Sequence, residues 1–300
     1  MKPLLVVITG PTAVGKTSTS IQIAKHFDCP IISGDSRQVY KEMSIGTAVP
    51  SPEELKQAPH HFIQSHSIHQ PFNAGIYEEE CMALLDKLFV KNKIVVLSGG
   101  SGLYINAVLF GHDELPPAND EIRQKLIKSY EDNGIAVLQK ELKAADPVYF
   151  EEVDQLNPQR LMRALEVCKQ TGKPYSSFRK STPKKRNFNH LIIAINEDRE
   201  SLYTRINQRV DEMMNEGLLD EVKSLHPYKH LNAVQTVGYT ELFIHLDKQY
   251  TLDEAVDKIK QHSRNYAKRQ ITWIKKYDEV HWVNRNETQK IIQLIDAHLQ

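Results

Sequence analysis

Residues 4–17 read Leu4-Leu5-Val6-Val7-Ile8-Thr9-Gly10-Pro11-Thr12-Ala13-Val14-Gly15-Lys16-Thr17. The first six residues predict a buried strand, and a helical pattern of apolar residues follows Thr17. Between them lies the spacing G-x-x-x-x-G-K-T, which is typical of a phosphate-binding P-loop in its strand–loop–helix context. The backbone N–H groups, the helix N-terminus and the Lys16 ammonium attract anions, and the Thr17 hydroxyl suits Mg²⁺. We therefore expect this loop to bind a diphosphate or polyphosphate.

Length, charge and cysteine content limit the class of protein. The 300 residues carry 38 Lys and Arg against 38 Asp and Glu, so nucleic-acid binding would need a local concentration of basic residues. Cys29, Cys81 and Cys168 show no C-x-x-C spacing, which is typical of reduced thiols. No apolar stretch is long enough for a membrane span, and the first one is too short for a signal peptide. We expect a cytoplasmic protein that does not associate with membranes.

Further apolar runs indicate a parallel sheet. Strands are predicted at 4–9, 30–33, 93–98 and 191–195, and helices at 16–27, 74–91 and 252–277, with Asn73 as an N-cap. Strands that are apolar throughout and alternate with helices are typical of a parallel sheet covered on both faces. The predicted class is α/β, a P-loop NTPase-like sheet flanked by helices. Ligands of such sheets bind at the carboxyl ends of the strands.

The sheet pattern is interrupted in the middle of the chain. Leu115–Asp120 reads as a proline-containing linker, and charged helical segments follow it until the next strand-like run near residue 190. We predict two domains: an α/β core of residues 1–112 and 190–300, which includes C-terminal helices, and a helical insertion of residues 113–189.

The carboxyl ends of two predicted strands carry candidate functional residues. The strand at 93–98 ends in Ser98-Gly99-Gly100, without the Asp that P-loop ATPases usually place on a second strand. The acidic candidate is Asp35, after the strand at 30–33. It either orients Mg²⁺-bound water or accepts a proton, or it only caps its own turn. Gly99–Gly102 permits a turn close to a ligand, and equally a plain strand-to-helix turn.

Four histidines lie close together in the sequence. They are His60, His61, His66 and His69. They have no Cys or carboxylate at ligand spacing, and adjacent His60 and His61 do not easily face the same way. A polar loop is therefore favoured over a zinc site.

Two segments concentrate positive charge. In Asn157–Val167, an N-cap candidate and a proline precede Arg160 and Arg163, which share a helix face that either binds a partner or is solvated and paired with Glu166. The second segment, Lys258–Lys276, contains seven Lys or Arg and no Asp or Glu. Like charges at this density repel one another without a partner, so an anionic macromolecule is the expected ligand, and a solvated face is the alternative.

Motifs along nearly the whole chain resemble one family. They are Gly10–Thr17, Asp35–Tyr40, Ile45–Ala48, Gly99–Tyr104, Asn157–Val167, Thr171–Pro174, Val237–Tyr239 and Ala267–Trp273. In this order and spacing the chain resembles the tRNA dimethylallyltransferases, also called tRNA isopentenyltransferases, of bacterial type. The P-loop alone is generic, whereas Asp35–Tyr40, Asn157–Val167 and Ala267–Trp273 are specific.

The resemblance implies a reaction and its residues. A dimethylallyl group would pass from its diphosphate to the exocyclic amine of the adenosine immediately 3′ of the anticodon, with release of diphosphate. Gly10–Thr17 would bind the diphosphate, and Thr17 would help to hold the cofactor Mg²⁺. Asp35 would take the proton from the amine, and Arg209 would lie near the leaving diphosphate. Lys16, Mg²⁺ and Arg209 would supply the cations that this leaving group requires.

The resemblance also implies partners. These are dimethylallyl diphosphate and the anticodon arm of tRNA, which the helical insertion would grip, and we expect the protein to be a monomer. The expected tRNA contacts are Asp35, Ser36, Arg37, Gln38, Ser101, Arg123, Gln159, Arg160, Leu161, Met162 and Arg163, to which the basic segment adds Arg264 and Lys268. Ser101 stands where the family more usually has Thr, and the hydroxyl is kept.

The residues alone leave other functions open. A kinase for a small molecule or a nucleotide shares the P-loop, Mg²⁺ and Asp35, but leaves the basic segment without a role. A transferase with the same donor that acts on free adenine nucleotides is a second alternative. A third is a P-loop protein that binds RNA without catalysing a reaction.

Overall fold

The computed structural model describes residues 2–113, 115–179 and 182–299. Met1, Glu114, Lys180, Ser181 and Gln300 lie outside the described residues, and three of them fall within the predicted insertion. The chain divides into a first unit, Met1–Phe110 with Lys185–Gln300, and a second unit, Gly111–Lys184. None of the helices in the described ranges is long and apolar enough to cross a lipid bilayer.

The first unit contains a parallel sheet. Its strands within the described residues are β1 (Leu4–Thr9), β2 (Ile31–Ser33), β3 (His60–His61), β4 (Ile94–Ser98), β5 (Asn189–Asn196) and β6 (His281–Asn284). Their spatial order is β3-β2-β4-β1-β5-β6, and every pair is parallel. In the central strand, Val6 lies between Val96 of β4 and Leu191 of β5. The predicted parallel α/β sheet is confirmed.

Both faces of the sheet are buried. All of β1 is buried, and its residues alternate between two core clusters: Leu4, Val6 and Ile8 belong to one, and Leu5 and Val7 to the other. Successive side chains of a strand point to opposite faces, so a strand covered on both sides has to be apolar throughout. This is why the uninterrupted apolar runs of the sequence predict the sheet.

Helices cover the sheet and build the second unit. In chain order they are α1 (Lys16–Phe27), α2 (Pro52–Leu55), α3 (Ala74–Leu88), α4 (Gly102–Phe110), α5 (Asp120–Asn133), α6 (Ile135–Ala145), α7 (Pro147–Glu152), α8 (Pro158–Thr171), α9 (Arg199–Asn215), α10 (Leu218–Leu225), α11 (Tyr239–Leu246), α12 (Leu252–Ile274) and α13 (Thr288–His298). α1 has the predicted bounds. Asn73 caps α3 as predicted, since its side chain accepts hydrogen bonds from the N–H groups of Gly75 and Ile76. α3 and α12 both end three residues earlier than predicted.

Two short strands correct the sequence-based expectation. His60–His61, predicted to lie in a polar loop, forms β3 and pairs with Ile31 and Ile32 of β2. His281–Asn284, for which no strand is predicted, forms β6 beside β5. Both lie at the edges of the sheet, where a strand is short and one side is unpaired. Such segments have too few residues to show an apolar run.

The second unit is built from α5 to α8 around its own core. This core includes Leu138, Leu142, Phe150, Leu161 and Leu165. Asn157 caps α8 and is followed by Pro158, as the sequence predicts: its side chain accepts a hydrogen bond from the N–H of Arg160. Polar caps satisfy N–H groups at helix starts that have no partner within the helix.

The carboxyl ends of β1, β2 and β4 meet at one edge of the sheet. The N–H of Gly34 donates to the carbonyl of Ser98 (2.7 Å), and the N–H of Gly99 donates to the carbonyl of Ile8 (3.1 Å). A Cβ on Gly99 would lie 2.3 Å from the carbonyl carbon of Gly34, so this approach requires glycine. The segment that carries Asp35 therefore comes close to the P-loop, although β4 separates β2 from β1.

Candidate active site

The P-loop between β1 and α1 curls through left-handed backbone conformations. φ is 63° at Ala13 and 102° at Gly15, the residue that precedes α1. A Cβ on Gly10 would lie 2.8 Å from the carbonyl oxygen of Ile195 in β5. Both glycines have a positive φ, and Gly10 also permits a close approach of two backbones. The curled loop leads directly into the N-terminus of α1, which is a favourable position for an anion.

Lys16 folds back over this loop. Its Nζ donates to the carbonyls of Gly10 (3.1 Å) and Pro11 (2.9 Å). Burial, followed by the neighbouring charge of Arg209, lowers the pKa of Lys16 to about 8, against the opposing effect of Asp35. The lowered pKa means that the local protein environment stabilises the ammonium poorly. An anionic ligand would supply the missing negative charge.

Helix α9 brings two arginines to the loop. Arg205 Nε donates to the carbonyl of Ala13 (2.9 Å), which holds the loop in place. Arg209, one helical turn further on, lines the cavity above the loop, and its pKa is lowered by burial. Among the described residues its guanidinium finds no hydrogen-bond or ion-pair partner. An unpaired guanidinium in a cavity is well suited to bind a phosphate group.

Asp35 caps its own turn and also lines the cavity above the loop. Its Oδ1 accepts hydrogen bonds from the N–H groups of Arg37 (2.8 Å) and Gln38 (3.3 Å), so it caps its own turn. The same side chain lines the cavity that contains Lys16 and Arg209. Capping through one oxygen fixes the direction of the carboxylate, and Oδ2 makes no hydrogen bond to any described residue. One oxygen is therefore held by the fold and the other is available to a ligand.

Two cavities adjoin at this point. The loop cavity, of about 300 Å³, has a polar lining that includes Lys16, Thr17, Arg205, Gln208, Arg209 and Glu212. The apolar cavity, of about 130 Å³, is lined by Ile206, Val210, Met213, Val237 and Ile259 among others. Both include Thr12, Ala13, Asp35, Thr47, Arg209 and Tyr266. A ligand with a charged end and an apolar end can therefore occupy the two together.

Sequence reasoning missed two residues of α12 that shape these cavities. Gln270 is buried, accepts from the N–H of Thr12 (2.7 Å) and donates to the carbonyl of Gly100 (2.9 Å). It therefore ties the P-loop to the segment after β4. Tyr266 lines both cavities, and burial raises its pKa to about 12, so its phenol stays protonated. The signal in the sequence is a polar residue, Gln270, on the apolar face of the predicted helix.

A carboxylate from α10 fixes the wall formed by residues 44–47. Glu221 accepts hydrogen bonds from three successive N–H groups, those of Ser44 (2.9 Å), Ile45 (2.8 Å) and Gly46 (3.0 Å). It also accepts from the hydroxyl of Tyr239 (2.6 Å). This arrangement holds in place the backbone that carries Thr47, although no role for Glu221 is predicted from the sequence.

Several residues predicted to contact tRNA are bound within the first unit. Arg37 donates to the carbonyls of Asn232 and Ala233, both at 2.8 Å. Gln38 donates to the carbonyls of Thr47 and Ala48, at 3.2 and 2.9 Å. The Ser101 hydroxyl accepts from the N–H of Ser36 (3.0 Å). These side chains hold the turn that carries Asp35.

Gly99–Gly102 is more than a plain turn. A Cβ on Gly100 would lie 2.2 Å from Gln270 Nε2, and one on Gly102 would lie 2.6 Å from the Trp273 ring. Ser36, Ser101, Leu103, Arg269 and Trp273 line a third cavity here, of about 410 Å³. The glycines therefore permit close packing of α12 beside this cavity.

The arginines of the second unit gather around Glu166. This carboxylate is fully buried and accepts from Arg123 (3.2 Å) and Arg163 (3.0 Å), so the predicted pairing of Arg163 with Glu166 is present. Arg123 also donates to Gln159 (2.7 Å). Gln159 and Arg160 are exposed at the start of α8.

The two apolar residues of this segment correct the expectation of tRNA contacts. Leu161 and Met162 are buried in the core of the second unit. Their side chains pack against neighbouring helices and are not available to a partner at the surface. The segment has exposed side chains at Gln159 and Arg160 instead, because residues at positions one or two apart on a helix point in different directions.

Several basic side chains of α12 contact other residues of the same chain. Arg264 donates to Asn207 (2.6 Å), Lys260 pairs with Asp211 (2.6 Å), and the Lys268 ammonium lies 6.0 Å from the centre of the Tyr203 ring. Lys275 and Lys276 are exposed. The outward basic surface is therefore smaller than the count of basic residues indicates.

A Mg²⁺ ion would find one ready donor at the loop. Thr17 lines the loop cavity, and its hydroxyl makes no hydrogen bond to any described residue, whereas Ser18 and Thr19 bond to the carbonyl of Gly15. Within the described ranges no group of three or more His, Cys, Asp or Glu could hold a metal ion. The donor set suits a cation that takes most of its ligands from phosphate oxygens and water.

Comparison with known proteins identifies relatives along the whole chain. A family model described as IPP transferase matches residues 38–277. The chain is 50% identical to the tRNA dimethylallyltransferase of Flavobacterium psychrophilum, over 99% of each protein. It is 45% identical to tRNA dimethylallyltransferase 1 of Bacteroides thetaiotaomicron, over 98% of this chain and 95% of that protein.

Solved structures agree with these relatives. The tRNA isopentenylpyrophosphate transferase of Bacillus halodurans matches with a TM-score of 0.72 and 36% identity, over 99% of this chain and 96% of that one. A eukaryotic dimethylallyltransferase acting on tRNA matches with a TM-score of 0.79 and 27% identity, over 99% and 79% of the two chains.

Proposed function

The chain belongs to the IPP transferase family, and we propose that it transfers a dimethylallyl group from dimethylallyl diphosphate to tRNA. The acceptor is the exocyclic amine of the adenosine immediately 3′ of the anticodon, and diphosphate is released. The protein is thus a transferase that prenylates tRNA. We propose that it acts as a monomer, on tRNA in the cytoplasm.

The observation that carries this proposal is the pair of adjoining cavities. The loop cavity offers Lys16 and the unpaired Arg209, and the apolar cavity offers side chains such as Val210 and Met213. A diphosphate bonded to a short hydrocarbon matches this division of charged and apolar surface. ATP, the donor of the alternative kinase, has no short hydrocarbon to place against these apolar side chains, and the kinase is not favoured.

The reaction follows from the residues at the junction of the cavities. The lone pair of the adenosine amine attacks the first carbon of the dimethylallyl group, a carbon–nitrogen bond forms, and the carbon–oxygen bond to diphosphate breaks. Lys16 and Arg209 stabilise the negative charge that develops on the departing diphosphate. Asp35, through the oxygen that does not cap its turn, accepts the proton that the amine loses. The amine reaches this junction only when its base leaves the anticodon stack.

Mg²⁺ is the proposed cofactor, and the Thr17 hydroxyl would help to hold it. When bound it neutralises charge on the diphosphate as a Lewis acid. Thr17 supports this role because it lines the loop cavity next to Lys16 and its hydroxyl is not used within the described residues.

The proposed tRNA contacts follow the exposed side chains of each unit. In the first unit, Trp273 and Arg269 line the third cavity, which also includes Tyr266 from the junction. Stacking of bases on aromatic rings and guanidinium planes is common in the recognition of unpaired RNA. In the second unit, Gln159 and Arg160 are the exposed candidates for the anticodon arm.

A transfer assay tests the proposal. The protein is incubated with labelled dimethylallyl diphosphate, Mg²⁺ and unmodified tRNA that carries adenosine 3′ of the anticodon, and label in the RNA is counted. We expect label that requires both Mg²⁺ and that adenosine, because a tRNA with guanosine there lacks the accepting amine in this position. Label in AMP instead of tRNA would assign a different acceptor, and phosphoryl transfer from ATP without label in RNA would assign the kinase.

A further inference from the structure

The apolar cavity follows one face of helix α9. The apolar cavity alone is lined by Ile206, Val210 and Met213. The loop cavity alone is lined by Arg205, Gln208 and Glu212. Arg209 lines both. Because an α-helix rises 1.5 Å per residue, Met213 lies about 6 Å beyond Arg209 along the helix axis. The lining that α9 gives to this cavity thus runs from Ile206, past Arg209, to Met213.

The size of this cavity matches one isoprene unit. Its volume is about 130 Å³. Since an atom group of the size of water occupies about 30 Å³, the five carbons of a dimethylallyl group need on the order of 150 Å³, and the ten of a geranyl group about 300 Å³. With carbon–carbon bonds of about 1.5 Å, the first group is about 4 Å long and the second about 9 Å. A geranyl group therefore exceeds the volume of this cavity.

We propose that Met213, with Val237 from the segment before α11, restricts the donor to a five-carbon chain. Both side chains line the apolar cavity, are half-buried, and pack against the same core. This inference rests on the proposed function, because it concerns the hydrocarbon end of the same donor. A ten-carbon chain would collide with these two side chains while its diphosphate occupied the loop cavity.

The walls that carry these side chains are held firmly. The N–H of Gly238 donates to Glu241 (2.8 Å), and the Glu241 carboxylate contacts His262 of α12 (2.5 Å). On the other segment, Gly46 lies so close to Tyr239 that a Cβ there would be 2.5 Å from its ring. These contacts hold the backbone beside Val237, so the cavity does not widen by a small movement of that segment.

Deletion of side-chain atoms tests the proposal. Met213→Ala removes three heavy atoms, and Met213→Ala combined with Val237→Ala removes five, as many as one isoprene unit adds. The measurement is kcat/KM for geranyl diphosphate relative to dimethylallyl diphosphate, with the same tRNA. We expect the ratio to rise about tenfold in the single variant and about hundredfold in the double variant. Met214→Ala is the matched control: Met214 is the next residue on α9, packs against the same core and does not line the cavity.

Two results would overturn the proposal. One is a wild-type protein that uses both donors equally, and the other is an unchanged ratio in a double variant that still transfers dimethylallyl. If the double variant does not fold, Met213→Phe takes its place: it narrows the cavity, and KM for dimethylallyl diphosphate should rise about tenfold while binding of inorganic diphosphate stays the same. An unchanged KM in that variant also overturns the proposal. A wild-type protein that transfers neither group contradicts the proposed function instead.

Discussion

Each unit of the molecule places a carboxylate near arginines. In only one of the two units do the carboxylate and the arginines bind one another. In the second unit, buried Glu166 accepts hydrogen bonds from both Arg123 and Arg163. In the first unit, Asp35 uses one oxygen to cap a turn, and Arg209 makes no hydrogen bond or ion pair with any described residue. The same residue types therefore form buried ion pairs in the second unit and line an open cavity in the first.

The difference shows how to separate structural charge from functional charge. A charged group removed from water lowers stability unless a partner compensates it. Glu166 and its arginines compensate one another, so their position needs no ligand to explain it. Lys16 and Arg209 share a cavity with lowered pKa values, and this unfavourable arrangement is relieved when an anion binds.

Removal of the charge of Asp35 should have the largest effect on the reaction. Asp35→Asn keeps an oxygen that can cap the turn but cannot accept the proton, so we expect kcat to fall about 10³-fold, measured in single turnovers with saturating tRNA. The melting temperature should stay close to that of the wild type. A decrease of less than tenfold would mean that the carboxylate serves only the turn, and the contrast with Glu166 would then disappear.

Arg209→Ala tests the role of the arginine that shares the loop cavity with Asp35. Loss of an unpaired guanidinium that stabilises the leaving diphosphate should lower kcat/KM about 10²-fold, and Arg209→Lys should recover part of it because the charge remains. Steady-state kinetics with varied dimethylallyl diphosphate provide the measurement. Stability should not decrease, since no hydrogen bond to a described residue is lost. Kinetics within threefold of the wild type would exclude Arg209 from the donor site.

The lowered pKa of Lys16 predicts a pH dependence of donor binding. In the free protein the ammonium loses its proton as the pH rises through about 8, whereas a bound diphosphate stabilises the protonated form. The affinity for inorganic diphosphate should therefore fall about tenfold per pH unit above this value, as calorimetry between pH 7 and 10 would show. In Lys16→Arg the side chain keeps its charge and the dependence should vanish. An equally steep dependence in that variant would assign it to another group.

The smallest effect on chemistry is expected at Glu166. Glu166→Gln leaves two arginines without their carboxylate and should lower the free energy of unfolding by about 2–3 kcal/mol, with little change in the rate at saturating tRNA. Glu141→Gln is the matched control, because Glu141 pairs with Lys169 at a more exposed position of the same unit and should lose less than about 1 kcal/mol. Thermal unfolding gives the comparison. A large loss of rate with full stability would place Glu166 in the reaction and overturn its structural assignment.

The sequence predicts the parts of the fold that depend on local pattern. β1 and α1 have the predicted bounds, because a continuous apolar run and a P-loop leave few alternatives for residues 4–27. The edge strands β3 and β6 could not be predicted, since their two and four residues depend on hydrogen bonds to distant neighbours. The parallel sheet follows from pattern, and its two edges follow from tertiary contacts.

The candidate site divides in the same way. Lys16 and Asp35 follow motifs, and the structure brings both to one cavity. Gln270 and Tyr266 could not be assigned from pattern alone, because their roles depend on how α12 lies against the P-loop. Leu161 likewise shares a motif with exposed neighbours, and only the packing of α8 shows that it is buried.

The hydrogen bond between Thr12 and Gln270 joins residues that are 258 positions apart. Strand β1 likewise pairs with β5, so Leu4 cannot form this pairing until Asn189 has been synthesised. A ribosome makes the chain from its N-terminus, so the anion-binding loop is synthesised long before the helix α12 that completes it. Until α12 has been synthesised, the P-loop lacks its hydrogen bond to Gln270. Until β5 has been synthesised, the apolar strand β1 lacks one of its two neighbouring strands. The synthesis of the chain therefore includes a long interval in which sheet edges are exposed, and such edges favour aggregation.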